Sequence, residues 1–215
     1  LSERVRSEIR SNMDRSRLRE SNARLTALSR YAEDITACET VDEVMERTVE
    51  AMSDALAFES CIAGLVSDGR LLPIASTLPE PGIDPISVDE GIVGRAYRTG
   101  EPQLVDDMQT DPDAALKGDG RRAAVTAPIG DRGAIQAVSN RCGAFDTRDL
   151  EFLEILAGYA EEALARIERE VTLREERDRL HTLFEDLPMP ALCVERRDGG
   201  VRVEDANVAY ADRFG

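Results

Sequence analysis

An α+β fold, one antiparallel sheet covered by helices, is what this sequence predicts. The hydrophobic period is helical up to about residue 58, switches to two over 61–75 and 122–140, and returns to helical from 148. Asp68-Gly69 and Gly130-Asp-Arg-Gly133 each sit between two short apolar runs, the pattern of a hairpin turn. Long stretches without Gly or Pro stand on either side of the strand region. Helices first, strands in the middle and helices last place helices against one shared sheet.

The elements follow in order. Residues 2–37 hold no Gly or Pro and read as one helix, with Leu18, Leu25, Leu28, Ala32 and Ile35 forming a heptad seam. A helix of that length cannot bury its stripe against itself, so a parallel homodimer is the simplest expectation. Thr40, with Glu43 three residues on, makes a capping box. The helix it opens carries Val41, Val44, Met45, Thr48, Val49, Met52 and Leu56 on one face and is expected to end near Phe58. Residues 61–66 and 70–75 form the first hairpin, and 77–85, with three prolines, a loop. A short helix starts at Gly91 and stops at Gly100; Pro102 follows, then a brief apolar strand ending in Asp106 and Asp107. Residues 106–120 are acidic and contain Pro112, Gly118 and Gly120, which predicts a loop with one helical turn around Ala114–Leu116. Residues 122–129 and 134–140 form the second hairpin. Phe145 docks after it, Asp146 or Thr147 caps, and a helix runs on Leu150, Leu153, Leu156, Ala160, Ala163 and Ile167. It continues as a linker over 169–187, with Leu173, Leu180 and Leu187 seven apart and a register shift near 167–173.

Gly91-x-x-Gly94 entering a helix, then Thr99-Gly-Glu-Pro102 and a strand ending in acid, resembles the middle of a GAF domain. The resemblance spans about 31–168 and implies N- and C-terminal helices on one face of the sheet, with the 91–99 helix as a lid on the other. It also implies a small-molecule pocket under that lid. Gly91 and Gly94 would permit close backbone approach there, and the lid's N-terminal N–H groups could hold an anion or a carbonyl. Arg95, Asp106 and Thr126 are the polar side chains expected nearby. Beyond 187, Leu187-Pro-Met-Pro190, Asp205-Ala-Asn207 and the closing Phe214-Gly215 resemble the opening of a PAS domain. Only its first two strands and next helix would lie within 188–215, a piece expected to be poorly ordered or to pack against a neighbour. The chain opens without Met and stops just after that helix, as expected of a segment cut from a longer protein.

The formal net charge of the 215 residues is −16. Residues 1–30 carry eight Arg against four acids, whereas 31–170 carry 12 basic residues against 29 acids. Such a centre repels phosphate and speaks against nucleic acid. Of 27 basic residues only Lys117 is lysine, an acidic and lysine-poor balance similar to that of haloarchaeal proteins. No apolar run approaches a membrane span and no signal pattern opens the chain, so a cytoplasmic location is expected. The Arg-rich first helix alternates its charges as coiled-coil flanks do.

Cys38, Cys61, Cys142 and Cys193 show neither disulfide nor zinc spacing, and no metal or cofactor is indicated. The GAF resemblance raises specific chemistries, and the residues weigh against each. The only histidine, His181, lies in the linker, and Cys142 is followed by Gly, which disfavours bilin or haem. The residue set of cyclic-nucleotide GAF domains is not visible. No cysteine lies in the lid half, where the resemblance would place the reductase thiols, and a pKa-lowering partner such as His is missing, which disfavours a methionine sulfoxide reductase. His181 is not followed by an acid, as a phospho-acceptor would be, and reads as a solvated linker residue. The expectation is a non-enzymatic sensory module of a signal-transduction protein, a haloarchaeal sensor histidine kinase or a bacterio-opsin-activator-like regulator. A small ligand would close the 91–120 lid and shift paired helices, altering an output domain of the same polypeptide. Charged replacements of Ala160 and Ala163 would then break the dimer. A ligand-free dimerisation scaffold and a thiol-dependent reductase are the alternatives.

Overall fold

The Thr40 capping box forms as the sequence requires, and it fixes how the chain enters its first full helix. Thr40 Oγ1 accepts from the Glu43 N–H at 3.3 Å, while Glu43 Oε2 accepts from the N–H groups of Thr40 (3.1 Å) and Glu39 (2.9 Å). In the computed structural model, residues 22, 24–78, 84–114, 120–197 and 200–214 are described. The expected helix over 2–21 and most of the expected turn at 114–116 lie outside these residues. The remainder of the first helix, α1, runs over 24–37. Helix α2, Val41–Asp54, follows the box and ends four residues earlier than its apolar pattern suggested. Ala57, at φ 58°, turns the chain away before Phe58.

Six strands make one sheet: β1 (Ser60–Ser67), β2 (Arg70–Ser76), β3 (Ile86–Ser87), β4 (Gln103–Val105), β5 (Ala123–Ile129) and β6 (Gly133–Ser139). Helix α3, Gly91–Thr99, stands between β3 and β4 in the chain. The strand order is β3-β2-β1-β6-β5-β4, antiparallel throughout. Both expected hairpins form, β1–β2 about Asp68 and Gly69 (φ 50° and 73°), and β5–β6. Positive φ at two consecutive turn residues gives the twist that a two-residue hairpin needs. The β1–β6 pairing, Ser60↔Val138 to Leu65↔Gly133, is the single seam joining the hairpins into one sheet.

The two faces of the sheet are covered differently. On one, Cys61, Ala63, Val125, Ala127, Ile129, Ile135 and Ala137 are fully buried, with α2 against β1 and β2. On the other, α3 lies against β5 and β6. Helix α4, Thr147–Glu185, starts at Asp146, whose Oδ1 accepts from the N–H groups of Arg148 (2.8 Å) and Asp149 (3.0 Å). Phe145 meets Phe58 edge-on at 5.2 Å. Arg24 on α1 pairs with Asp149 on α4 at 3.0 Å. Tyr31 donates to Asp54 on α2 at 2.8 Å.

One expectation is corrected here. Ala160 and Ala163 are buried to 0 % and 1 % exposure within this single chain, as are Leu28 and Ile35 of the α1 seam at 3 % and 0 %. They form the chain's own helical layer, so charging them disrupts the fold itself and does not report on a dimer. Exposed apolar residues on α1 and α4 include Leu25, Ile155, Val171, Leu173, Leu180 and Leu183.

The chain divides into two compact units, one up to Ala165 and one from Arg166 onward. The second contains the end of α4, a hairpin of β7 (Leu192–Arg197) and β8 (Gly200–Ala206), and α5 (Val208–Phe214). Asn207 organises it. Its side chain is fully buried, accepts from the N–H groups of Ala191 (2.9 Å) and Tyr210 (3.0 Å), and donates to the Met189 carbonyl (2.9 Å). The Asp205-Ala-Asn207 signal in the sequence is thus a helix cap that also ties down the loop before β7. Among the described residues no helix is long and apolar enough to cross a membrane.

Candidate functional site

Helix α3 is brought down onto the sheet by what its glycines lack. Gly91, at φ 75°, turns the chain out of the extended Glu90 into the helix. At Gly94 a Cβ would stand 2.6 Å from the Val88 carbonyl oxygen, so the strand leaving β3 crosses directly against the helix backbone. The same carbonyl accepts from Arg98 Nη1. Gly100, left-handed at φ 67°, ends the helix with its N–H on the Ala96 carbonyl.

From that helix Arg95 reaches in two directions. Its Nε donates to Gln103 Oε1 on β4 at 2.9 Å. Its Nη1 and Nη2 hold Asp111 as a fork at 3.1 and 2.9 Å, and Nη1 also holds Asp113 at 2.7 Å. The hydrogen bonds to Asp111 above all stabilise the charged guanidinium and raise its pKa further. Arg95 therefore latches the segment after β4 onto the lid helix, and two carboxylates more than cancel its charge.

The register places a polar row beneath this latch. Gln103 lies opposite Thr126, and Thr126 opposite Gln136, across β4, β5 and β6. Directly opposed residues share a face, and the Arg95 bond marks it as the face under α3. Gln136 Nε2 donates to the fully buried Thr126 Oγ1 at 2.9 Å, and Gln136 itself is half-buried. Two residues along the strands the row turns apolar: Val105, Ala124 and Val138 pack with Ile92, Met108 and Ala114.

Of the expected site residues, Gly91, Gly94, Arg95 and Thr126 converge on this face. Asp106 has an exposed side chain and contributes its carbonyl to the Gly143 N–H at 2.9 Å. It is the next residue, Asp107, that makes an ion pair, a fork with Arg122 at 3.1 and 2.9 Å. That fork lowers the Asp107 pKa. Gln103, Gln136 and Asp111 were not anticipated. The available signal was a lone amide inside each of two otherwise apolar strands, Gln103-Leu-Val105 and Ala134-Ile-Gln-Ala-Val138.

The cysteines do not gather at this face. Cys61 lies on the opposite face, donates to the Phe58 carbonyl, and burial pushes its thiol up to about 12. Cys38 is buried at the end of α1 and donates to the Asp34 carbonyl, while Cys142 and Cys193 are exposed. Alkylation with iodoacetamide at pH 8 should label Cys142 and Cys193 in the native protein and spare Cys38 and Cys61, as peptide mass spectrometry would read. Because the folded Cys61 keeps its proton while the unfolded thiol loses it near pH 8.5, stability contributed by this group falls as pH rises above that value.

The comparisons with known proteins agree with this architecture. A family model described as GAF domain matches residues 38–165. No curated protein matches the chain. Among solved structures, a free methionine-R-sulfoxide reductase from Neisseria meningitidis, in complex with its substrate, is similar at TM-score 0.62 and 19% identity, covering 67% of this chain and 89% of that one. The GAF domain of an Acinetobacter phosphoenolpyruvate-protein phosphotransferase is similar at TM-score 0.61 and 18% identity, over 67% and 94%. Residues 122 to 287 of a methyl-accepting chemotaxis protein are similar at TM-score 0.55 and 21% identity, over 64% and 96%. At these identities the likeness is one of fold.

Proposed function

Because the chain belongs to the GAF domain family, we propose that it is a non-enzymatic sensory module that binds a small ligand between its sheet and the Arg95-latched lid. The observation that carries this reading is the Gln103–Thr126–Gln136 row, a buried Thr126 between two half-buried amides, set beside an apolar cluster under α3. Pockets for small molecules commonly combine mostly apolar walls with a few placed hydrogen-bonding groups. Since Asp111 and Asp113 outweigh Arg95, the ligand class is neutral or zwitterionic with amide-like hydrogen-bonding edges, and simple anions are disfavoured. The reductase alternative, which needs Cys38, Cys61 and Cys142 to converge, is disfavoured because Cys38 and Cys61 are buried and only Cys142 of the three is exposed.

On this reading the signal leaves through α1 and α4 to a second copy of the chain and to an output domain of the same polypeptide. Exposed Leu25, Ile155, Val171, Leu173, Leu180 and Leu183 are apolar positions available for that pairing. The parent would be a haloarchaeal sensor histidine kinase or a related regulator, and the segment after Leu187 the start of a PAS domain. The lysine-poor, −16 surface supports a protein whose stability rises with salt.

A thermal-shift screen of neutral and zwitterionic metabolites in high-salt buffer tests the proposal. A binder should raise Tm, and Gln136→Leu should abolish that rise while costing only about 1 kcal/mol of stability for the lost partner of Thr126. A ligand whose shift survives Gln136→Leu would place the site elsewhere. One observation favours a second reading, a ligand-free scaffold: Ile92, Val105, Met108, Ala114, Ala124 and Val138 already pack together under the lid. That reading predicts no shift with any compound.

A further inference from the structure

The linker histidine does not stand alone. His181 and Glu185 are one turn apart on α4, so both leave the same face of the helix. Asp205, near the end of β8, closes the group from the hairpin. One donor atom from each of the three lies within 4.8 Å of the others. Both carboxylates are already oriented. Glu185 Oε2 accepts from the Val208 N–H at 3.0 Å, and Asp205 Oδ1 accepts from the Ala206 N–H at 2.9 Å. Their other oxygens face the imidazole, Glu185 Oε1 at 3.9 Å from Nε2 and Asp205 Oδ2 at 3.7 Å from Nδ1. Those separations are too long for hydrogen bonds. The three side chains thus converge within ion-pairing reach without a hydrogen bond between them.

We propose that His181, Glu185 and Asp205 form a binding site for a divalent transition-metal ion of the zinc type. Imidazole with two carboxylates is a donor set that suits borderline ions such as Zn2+ or Co2+, whereas Mg2+ and Ca2+ favour oxygen alone. Ligands held at about 2.0–2.1 Å around a tetrahedral ion lie roughly 3.3 Å apart. The imidazole, 60% exposed, would turn to present one nitrogen to both carboxylates at that spacing. The N–H groups of Val208 and Ala206 supply the second layer of contacts that fixes the carboxylates. Three protein ligands leave a further position for water. With two ligands on α4 and one on β8, the ion pins the hairpin to the helix and stabilises this unit by mass action.

Cobalt is the probe, because its d–d absorption reports coordination directly. The full chain, stripped with a chelator and titrated with Co2+ in high-salt buffer, should develop visible bands at one equivalent, which Zn2+ then bleaches. His181→Ala and Asp205→Asn should each weaken binding roughly tenfold or more, with far-UV circular dichroism confirming that both remain folded. Cys193 pairs with Asp205 across the hairpin, so Cys193→Ser is the control and should bind as the parent does. No visible absorption in the parent, unchanged binding in His181→Ala, or loss of binding in Cys193→Ser would each overturn the assignment.

Discussion

Asn207→Ala is expected to unfold the second unit while leaving the first intact. The side chain accepts from two backbone N–H groups, Ala191 and Tyr210, and its amide nitrogen faces the carbonyls of Phe184 (3.3 Å), Leu187 (3.4 Å) and Met189 (2.9 Å). It is fully buried, so water does not replace these partners without opening the structure. A lost cap and several stranded polar groups together cost about 2–4 kcal/mol. A hairpin with one short helix has little else to spend against that. Hydrogen exchange should show lost protection at the Ala191 and Tyr210 amides, with the amides of β5 and β6 unchanged. Asn207→Asp separates the two roles. It keeps the oxygen that accepts both N–H bonds but turns a second oxygen toward three carbonyls, and should be nearly as damaging near neutral pH. Native protection in either variant would contradict this account.

Gly133→Ala should be the most damaging single methyl in the sheet. A Cβ there would lie 2.1 Å from the Gly64 carbonyl oxygen and 2.9 Å from the Leu65 Cα, both backbone atoms of β1. No rotamer relieves that clash; only separating β1 from β6 does, and that pair is the seam of the sheet. Overpacking ordinarily costs 1–3 kcal/mol, and against unyielding backbone about 3 kcal/mol or more is expected. Gly158→Ala is the matched comparison. Its Cβ meets nothing within 4 Å on the exposed side of α4, so it should gain about 0.5–1 kcal/mol from lower unfolded-state entropy and better helix propensity. Denaturant titrations of the two variants in the same salt should therefore move in opposite directions.

Local chemistry made most of the fold legible. The Thr40–Glu43 box, the Asp68-Gly69 turn, the Gly100 stop and the Asp146 cap are each decided within four residues, and each forms where the sequence places it. Pairing between 60–65 and 133–138 is not local: nothing in either run names the other. Nor does anything in 103–105 name 124–126 as its partner, and without that register Gln103 is unrelated to Thr126 and Gln136 and the row is invisible. The same limit explains the reassigned seam. Heptad spacing says that Leu28, Ala32 and Ile35 want a partner, but not whether the partner is another molecule or the rest of this chain, within which they are buried. Asp106 and Asp107, just beyond β4, show a finer limit still, since a single step along the chain decides which acid meets Arg122.

The Arg95 fork gives salinity two opposed effects on this molecule. Counterions relieve the mutual repulsion of a −16 chain and so tighten the body, yet the same ions weaken the guanidinium's hold on Asp111 and Asp113, which are only partly shielded from solvent. Added salt thus firms the body while weakening the ion pairs that hold Asp111 and Asp113 to α3.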